Sequence, residues 1–361
     1  MSKRTYNFSP GPAALPVEIL EQIRDELLDW KDCGYSVMES SHRDSKFIET
    51  AEEAEQNLRD IMSIPSNYKV LFCAGGASFQ FAAIPLNFSG KNKNADYFCT
   101  GIWSEKAAKE AQRYCNVNIV AKTDSAQFMG IARKEQWQLS KEAAYVFYTP
   151  NETVSGIRFP TVPETHGVPL VADMTSCILQ EDFDVNQFGL IFAGVQKNIA
   201  PAGMTIVIVR DDFMDQAMSF CPSLLNYKII DEYKSMPNTP PTFSWYVANL
   251  TFQWVKKHGG VKAMEALSYK KSAKLYEVID STDFYSNKIH FKYRSVINVP
   301  FHLHDSTLDP LFIQEAEKNG IRQIKGHKSE GGMRASLYNG VNEEAVNALA
   351  EFMKAFEKRH G

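Results

Sequence analysis

Short apolar runs separated by polar or helical segments dominate the first 210 residues of the chain. Seven such runs, several of them apolar at nearly every position, occupy 68–75, 95–101, 117–122, 143–150, 168–174, 189–195 and 204–210. Continuous apolar runs are typical of strands that are buried on both faces in a parallel sheet. The pattern therefore predicts an α/β fold, with a mostly parallel seven-stranded sheet flanked by helices.

Apolar residues at helical spacing predict the remaining elements. Helices are expected at 16–30, 45–62, 244–257, 261–279, 310–319 and 342–357. In the carboxyl-terminal part, 295–303 and 332–338 are typical of strands, and the proline cluster MPNTPPTF (236–243) separates this part from the sheet. We therefore expect an amino-terminal arm at 1–15, a large domain at 16–258 and a smaller α+β domain at 259–361.

Charge and cysteine usage narrow the class of protein. The 361 residues include 39 Lys and Arg against 43 Asp and Glu, a formal net charge of −4, which gives no basic field for nucleic acid. No apolar segment resembles a secretory signal or is long enough to span a bilayer. The six cysteines form no CxxC pair, which favours reduced thiols. We expect a cytoplasmic protein without nucleic-acid or membrane partners.

Polar residues follow the predicted strands where a parallel sheet binds its ligands, beyond the carboxyl ends. The positions concerned are 75–78, 101–104, 151–153, 173 and 196–197. They form a polar ring with several glycines and one aromatic residue. This ring is the first place to look for a site.

Gln196 and Lys197 follow the apolar run LIFAGV (190–195). Position alone favours a surface lysine with its charge in solvent. The alternative is a Schiff-base lysine, whose amine is kept neutral by burial. Asp173 lies at the end of the preceding strand and is either a turn cap or an acid partner. Pyridoxal phosphate (PLP) requires an acid at its pyridinium nitrogen and a lysine at its aldehyde. Two neighbouring strand ends can supply that pair.

The segment AGGASFQF (74–81) follows another strand and opens a helix. Glycines followed by small and hydroxyl residues give a nest of backbone N–H groups for a phosphate, with Ser78 as a candidate ligand. An ordinary strand-to-helix turn looks the same, and neither GxGxxG nor a GK[ST] sequence is present. Trp103 is a candidate for stacking on a cofactor ring or a packing residue.

Eight ordered motifs resemble one family over essentially the whole chain. They are NFSPGPAALP (7–16), SSHRDSKF (40–47), LFCAGGASFQFAAIPLN (71–87), YTPNETVSGI (148–157), VADMTS (171–176), FAGVQKNIAPAGMTIVIVR (192–210), PNTPPTFSWY (237–246) and GHKSEGGMRASLYN (326–339). The family is that of the phosphoserine aminotransferases, which are class V, fold-type I enzymes dependent on PLP. The resemblance implies that fold and one PLP per subunit.

The resemblance also implies roles for individual residues. Lys197 would carry the cofactor as a Schiff base and move a proton, Asp173 would pair with the pyridinium nitrogen, and Trp103 would stack on the ring. Contacts to the phosphate or phenolic edge of the cofactor would come from Ala77, Ser78, Thr153 and Gln196. Asn238 and Thr239 would reach the cofactor phosphate of the neighbouring subunit, which makes a homodimer necessary for activity.

A substrate with a carboxylate and a phosphate requires two groups of cations. Arg334 is suited to a bidentate carboxylate contact. A phosphate cluster would come from His42, Arg43, His327 and Lys328, although these residues by themselves also fit ordinary polar loops. Many family members have Arg in place of Lys328, and some have Arg in place of Ser78. A lysine binds phosphate as a point charge, so these departures leave the phosphate affinity open.

The implied reaction is ping-pong transfer of the amino group from L-glutamate to 3-phosphohydroxypyruvate, giving O-phosphoserine for serine biosynthesis, with a pyridoxine-pathway oxo acid as a possible second substrate. A cysteine desulfurase is disfavoured because no cysteine follows Cys221. The paired basic residues argue against an alanine–glyoxylate aminotransferase, and the presence of Lys197 and Asp173 argues against a scaffold protein. HLHD (302–305) lacks a third metal ligand, and Cys177 fits an inert core thiol. We expect no metal.

Overall fold

The computed structural model describes residues 4–124 and 129–361. In these residues the strands are β1 (Tyr6–Asn7), β2 (Tyr68–Ala74), β3 (Asn94–Cys99), β4 (Asn116–Asp124), β5 (Gly130–Ile131), β6 (Val146–Tyr148), β7 (Asn151–Glu152), β8 (Ile157–Arg158), β9 (Leu170–Asp173), β10 (Leu190–Gly194), β11 (Met204–Arg210), β12 (Tyr285–Ser286), β13 (Asn298–Leu303), β14 (Ile321–Arg322) and β15 (Met333–Ser336). The helices are α1 (Val17–Glu26), α2 (Ser45–Met62), α3 (Gln80–Phe88), α4 (Ile102–Ala111), α5 (Tyr227–Glu232), α6 (Thr242–Lys257), α7 (Gly260–Asp280), α8 (Asp309–Lys318) and α9 (Glu343–His360).

The central sheet has the strand order β2-β11-β10-β9-β6-β3-β4-β5. Strands β10, β9, β6, β3 and β4 are mutually parallel, whereas β11 is antiparallel to both of its neighbours, so that β2 again runs with the others. All seven predicted strands belong to this sheet, and short β5 adds an antiparallel edge. The carboxyl ends of β2, β3, β6, β9 and β10 therefore meet at one edge, and the predicted α/β fold is confirmed.

Alternate residues of the strands pack into two different cores. Leu71 and Phe192 face one cluster, and Phe72 and Ile191 face the other. A third cluster lies in the carboxyl-terminal part and includes Phe8 from the amino-terminal segment. Burial on both sides explains why these strands are apolar along their length.

The carboxyl-terminal elements surround a three-stranded antiparallel sheet of order β12-β13-β15. Strand β1 pairs in parallel with β14, so the amino-terminal arm joins this part of the molecule. Residues 1–3 of the predicted arm lie outside the described residues. Helix α7 begins one residue after the predicted boundary, and it contributes to the first core and, further along, to the third. The division into domains stays a prediction.

The first helix is shorter than predicted, because α1 ends at Glu26 instead of residue 30. Beyond it the Asp29 side chain accepts a hydrogen bond from Gly34 N at 2.6 Å, and Trp30 N donates to Tyr35 O at 3.0 Å. These local bonds close a loop in place of another helical turn.

In the residues that the structure describes, no helix is long and apolar enough to cross a membrane.

Candidate active site

Lys197 lies three residues beyond β10 and lines a cavity of about 140 Å³ at the carboxyl edge of the sheet, here called the Lys197 cavity. Its lining residues are Gly76, Ala77, Ser78, Phe81, Trp103, Thr149, Asn151, Asp173, Thr175, Ser176, Gln196 and Lys197. Six predicted site residues are thus brought together. They are Ala77, Ser78, Trp103, Asp173, Gln196 and Lys197.

The environment of Lys197 favours the neutral amine more than solvent does. Burial lowers the pKa of its ammonium, the carboxylates of Asp173 and Glu152 raise it, and the Arg334 cation lowers it further. The Nζ atom lies 3.5 Å from Thr153 Oγ1 and 5.4 Å from the centroid of the Trp103 ring. A lysine in this setting is suited to nucleophilic and proton-transfer chemistry.

Asp173 is the last residue of β9, and its backbone is in register with Phe192 of β10. Its buried carboxylate accepts a hydrogen bond from Thr175 N at 3.0 Å. Burial raises the pKa of Asp173, while the Thr175 hydrogen bonds and the Lys197 charge lower it. Thr175 Oγ1 also accepts from Gly194 N at 3.1 Å, so the ends of β9 and β10 are bound to each other.

The loop after β2 approaches β10 closely. Gly75 has a φ of +96°, and its N–H donates to Gly203 O at 2.8 Å. A Cβ atom on Gly194 would lie 2.6 Å from Gln196 Oε1 and 3.1 Å from Ala77 Cβ. Glycine at 194 thus allows the loop that contains Ala77 and Ser78 to reach the cavity, and a short 3₁₀ turn leads from there into α3.

Trp103 and Thr153 are held against each other beside Lys197. The indole Nε1 of Trp103 donates to Thr153 Oγ1 at 2.9 Å. Thr153 follows β7, and its backbone oxygen accepts a hydrogen bond from Arg334 Nη1 at 2.9 Å. Although Thr153 does not line the cavity, its hydroxyl therefore contacts both the lysine and the tryptophan that do.

Arg334 lies on β15 and reaches the same place from the carboxyl-terminal sheet. Its residue is 6% exposed, and its Nε has no hydrogen-bond partner among the described residues. Burial lowers the pKa of this guanidinium. A buried cation with unused donors is a candidate anion ligand, since leaving such a group unpaired is costly.

The other six predicted residues, here called the outer loops, do not line the Lys197 cavity of the described chain. They are His42, Arg43, Asn238, Thr239, His327 and Lys328. The first two lie in a separate cleft of about 640 Å³, the next two are exposed, and Lys328 is exposed in a loop where His327 Nδ1 lies 2.8 Å from Ser329 Oγ. Their roles stay predictions.

Sequence reasoning noted the segment 151–153 but selected only Thr153 from it. Asn151 lines the cavity, and Glu152 is fully buried behind Trp103. The signal was available, because three polar residues in a row follow a buried strand. Gly11 was also missed: a Cβ on it would lie 3.3 Å from Lys197 Cγ, so the arm packs against the lysine.

The chain is similar to known proteins over most or all of its length. The family model for class-V aminotransferases matches residues 5–349. The chain belongs to that family. It is 52% identical to the phosphoserine aminotransferase of Pseudomonas putida over 361 residues, with 100% of both sequences covered.

Solved structures of phosphoserine aminotransferases have the same fold. The enzyme from Bacillus circulans subsp. alkalophilus superimposes with a TM-score of 0.96, at 40% identity and with 100% of both chains covered. The PLP-bound enzyme from Trichomonas vaginalis gives 0.94 at 42% identity, covering 97% of this chain and 100% of the other. The resemblance predicted from the motifs is confirmed, as is the aminotransferase fold.

Proposed function

We propose that this class-V aminotransferase is a PLP-dependent phosphoserine aminotransferase. It transfers the amino group of L-glutamate to 3-phosphohydroxypyruvate, giving O-phospho-L-serine and 2-oxoglutarate. The observation that carries the proposal is the convergence of Lys197, Asp173 and Trp103 around one cavity, with Arg334 bound to the neighbouring Thr153. The full-length likeness to phosphoserine aminotransferases supports the choice of substrate.

The residues around the Lys197 cavity fit PLP in their chemistry. Asp173 is a buried acid for the ring nitrogen, Lys197 is an amine for the aldehyde, and Trp103 offers a ring face. The loop around Ala77 and Ser78 offers backbone N–H groups to a phosphate. Two cavity-lining oxygens, Thr149 Oγ1 and Asn151 Oδ1, have no hydrogen-bond partner among the described residues, which suits a polar ligand.

When bound, PLP supplies an electron sink for the bond that breaks at the substrate α-carbon. The chain supplies everything else. Lys197 carries the cofactor and moves a proton at its Nζ atom, for which its lowered pKa is suited. Asp173 would hold positive charge at the ring nitrogen, Trp103 would stack on the ring, and Gln196 and Thr153 would contact its polar edge.

Substrate recognition divides between Arg334 and the outer loops. Arg334 holds the carboxylate that both substrates share, through the donors that are unused in the protein. The outer loops supply cations for the substrate phosphate, with His42, Arg43, His327 and Lys328 as the ligands. Asn238 and Thr239 would reach the cofactor phosphate of a second copy, so the working enzyme would be a homodimer. We place it in the cytoplasm.

A comparison of amino acceptors tests the proposal. Glutamate is the donor, and the acceptors are 3-phosphohydroxypyruvate, hydroxypyruvate, glyoxylate and the phosphorylated oxo acid of pyridoxine biosynthesis. We expect the highest kcat/KM with 3-phosphohydroxypyruvate and a large loss with hydroxypyruvate. Equal values with and without the phosphate, or a preference for glyoxylate, would contradict the proposed substrate. Activity with the fourth acceptor decides whether the enzyme also serves that pathway.

A further inference from the structure

Glu152 is fully buried, and its carboxylate lies at the amino terminus of α4. Its Oε1 accepts hydrogen bonds from Ser104 N at 2.9 Å and from Ser104 Oγ at 2.7 Å. Its Oε2 accepts one from Trp103 N at 3.2 Å. The carboxylate thus satisfies two of the backbone donors that the first turn of a helix leaves unpaired.

The cap comes from a distant part of the chain because the local position offers none. Gly101 precedes α4 and has no side chain with which to cap it. A Cβ atom on Gly101 would lie 2.5 Å from Glu152 Cδ. The φ of Gly101 is −178°, which any residue adopts, so glycine is required here by the space that Glu152 occupies.

Two consecutive residues therefore hold the same tryptophan at both ends. Glu152 binds the backbone of Trp103, and Thr153 binds its indole Nε1. Glu152 itself lies in β7, where it pairs with Ile157 of β8. Since the Trp103 ring lines the Lys197 cavity, its position there depends on these contacts.

We propose that Glu152 is a positioning residue that fixes the plane of Trp103, and with it the bound PLP ring, by capping α4 from β7. The inference rests on the proposed function only for its second part, the effect on the cofactor. Burial raises the pKa of Glu152, whereas the hydrogen bonds from Ser104 and Trp103 lower it and favour the carboxylate that the cap requires.

Two substitutions remove the contact in different ways. Glu152→Gln keeps the shape, but an amide has one acceptor oxygen and must direct its NH₂ group at a donor. Gly101→Ala keeps the Glu152 side chain but displaces its carboxylate by steric contact. If both variants have the same effect, the effect comes from the lost contact and not from the lost charge. Either variant alone tests the contact if the other does not fold.

Asp96, on β3 of the central sheet, offers a matched control. Its buried carboxylate also accepts from a serine, through Ser140 N at 2.6 Å and Ser140 Oγ at 2.7 Å, but it does not line the Lys197 cavity of the described chain. Asp96→Asn therefore removes an equivalent buried charge away from Trp103. We expect it to lower the Tm without changing the readouts below.

The first readout is hydrogen exchange in full-length protein freed of cofactor. We expect Glu152→Gln and Gly101→Ala to speed exchange at the Trp103 and Ser104 amides about tenfold or more, since a charged hydrogen bond is lost. The second is binding of PLP, for which we expect a Kd raised about tenfold and an altered circular dichroism of the bound chromophore. For glutamate, kcat should fall more than KM rises, because Arg334 is untouched.

Unchanged exchange at Trp103, or an unchanged Kd and dichroism in variants whose exchange is faster, would overturn the inference. A loss of Tm without these changes, as in Asp96→Asn, would reduce Glu152 to a stabilising residue. The failure of the proposed function looks different, because the unmodified protein itself would then show no preference for 3-phosphohydroxypyruvate as amino acceptor. Hydrogen exchange needs no cofactor and still decides whether Glu152 holds Trp103.

Discussion

The residues of the Lys197 cavity are brought together within a single chain, whereas the residues of the outer loops are not. Asp173 ends β9 and accepts a hydrogen bond from Thr175 N, and Trp103, in the first turn of α4, donates one to Thr153 Oγ1. Asn238, Thr239 and Lys328 are exposed on the same chain, away from the cavity. The comparison teaches that the part of the proposed site around Lys197, Asp173 and Trp103 is preorganised within one subunit. The outer contacts, to the cofactor phosphate and to the substrate phosphate, would be completed by a second subunit or by loop closure.

Removing Lys197 should have the largest effect. We expect Lys197→Ala to abolish transamination, since no other lysine of the described residues lines the cavity and could carry the cofactor and move the proton. Lys106→Ala is the matched control, because Lys106 Nζ also lies over the Trp103 ring, 4.6 Å from its centroid. Stopped-flow reaction with glutamate and the borohydride-sensitive absorbance measure the loss. Turnover near that of the unmodified enzyme in Lys197→Ala would refute the assignment.

Arg334 should affect both substrates alike. We expect Arg334→Ala to raise the KM for glutamate and for 3-phosphohydroxypyruvate, each by roughly 10- to 100-fold, because a charged bidentate contact is lost. Arg43→Ala in the outer loops should raise only the KM of the phosphorylated substrate. Steady-state kinetics of both variants check the division. If Arg334→Ala affected one substrate alone, the shared carboxylate role would be wrong.

A mixing experiment tests whether the outer loops act on a second subunit. Lys197→Ala, expected to be inactive alone, is mixed with the double variant Asn238→Ala/Thr239→Ala, expected to be weakly active alone. If the loops act across the interface, mixed dimers regain one intact site, roughly a quarter of all sites after random pairing. Recovery after co-refolding is measured against each variant alone. No recovery, although mixed dimers form, would place the loops on their own subunit.

Changing Lys271 of α7 should have the smallest effect. This buried cation lies outside the proposed site, and we expect it to affect the pH dependence of stability. Its Nζ donates to Leu337 O, Tyr338 O and Val341 O at 2.8–2.9 Å. Burial lowers its pKa from 10.5 to about 7, and the Glu343 charge opposes that shift.

Between about pH 7 and 10.5 the unfolded chain therefore binds the proton that folded Lys271 has lost. The free energy of unfolding should fall as the pH is lowered through this window, by at most about 1.4 kcal/mol per pH unit. Lys271→Met should flatten this dependence in denaturant titrations, and Lys270→Met, which changes an exposed neighbour, should not. An unchanged slope in Lys271→Met would show that its pKa is ordinary in the folded protein.

The prediction from sequence was strongest where burial acts on both faces of an element. The runs that became β2 and β11 were found within one residue at each end, because most of their residues are apolar and buried. Helix α1 was predicted to end four residues too late. Its last predicted turn is apolar enough for a helix, but the hydrogen bonds from Gly34 N to Asp29 and from Trp30 N to Tyr35 O redirect the chain.

The sequence by itself determined the sheet, the family and the neighbouring strand ends that bear Asp173 and Lys197, since these follow from local pattern and ordered motifs. Only the tertiary structure decided that Arg334, from a different sheet, contacts Thr153, and that Glu152 caps the helix that bears Trp103. Each of these contacts joins residues that are far apart in the chain. Local periodicity records whether such residues are buried, but it carries no information about which distant partner they meet.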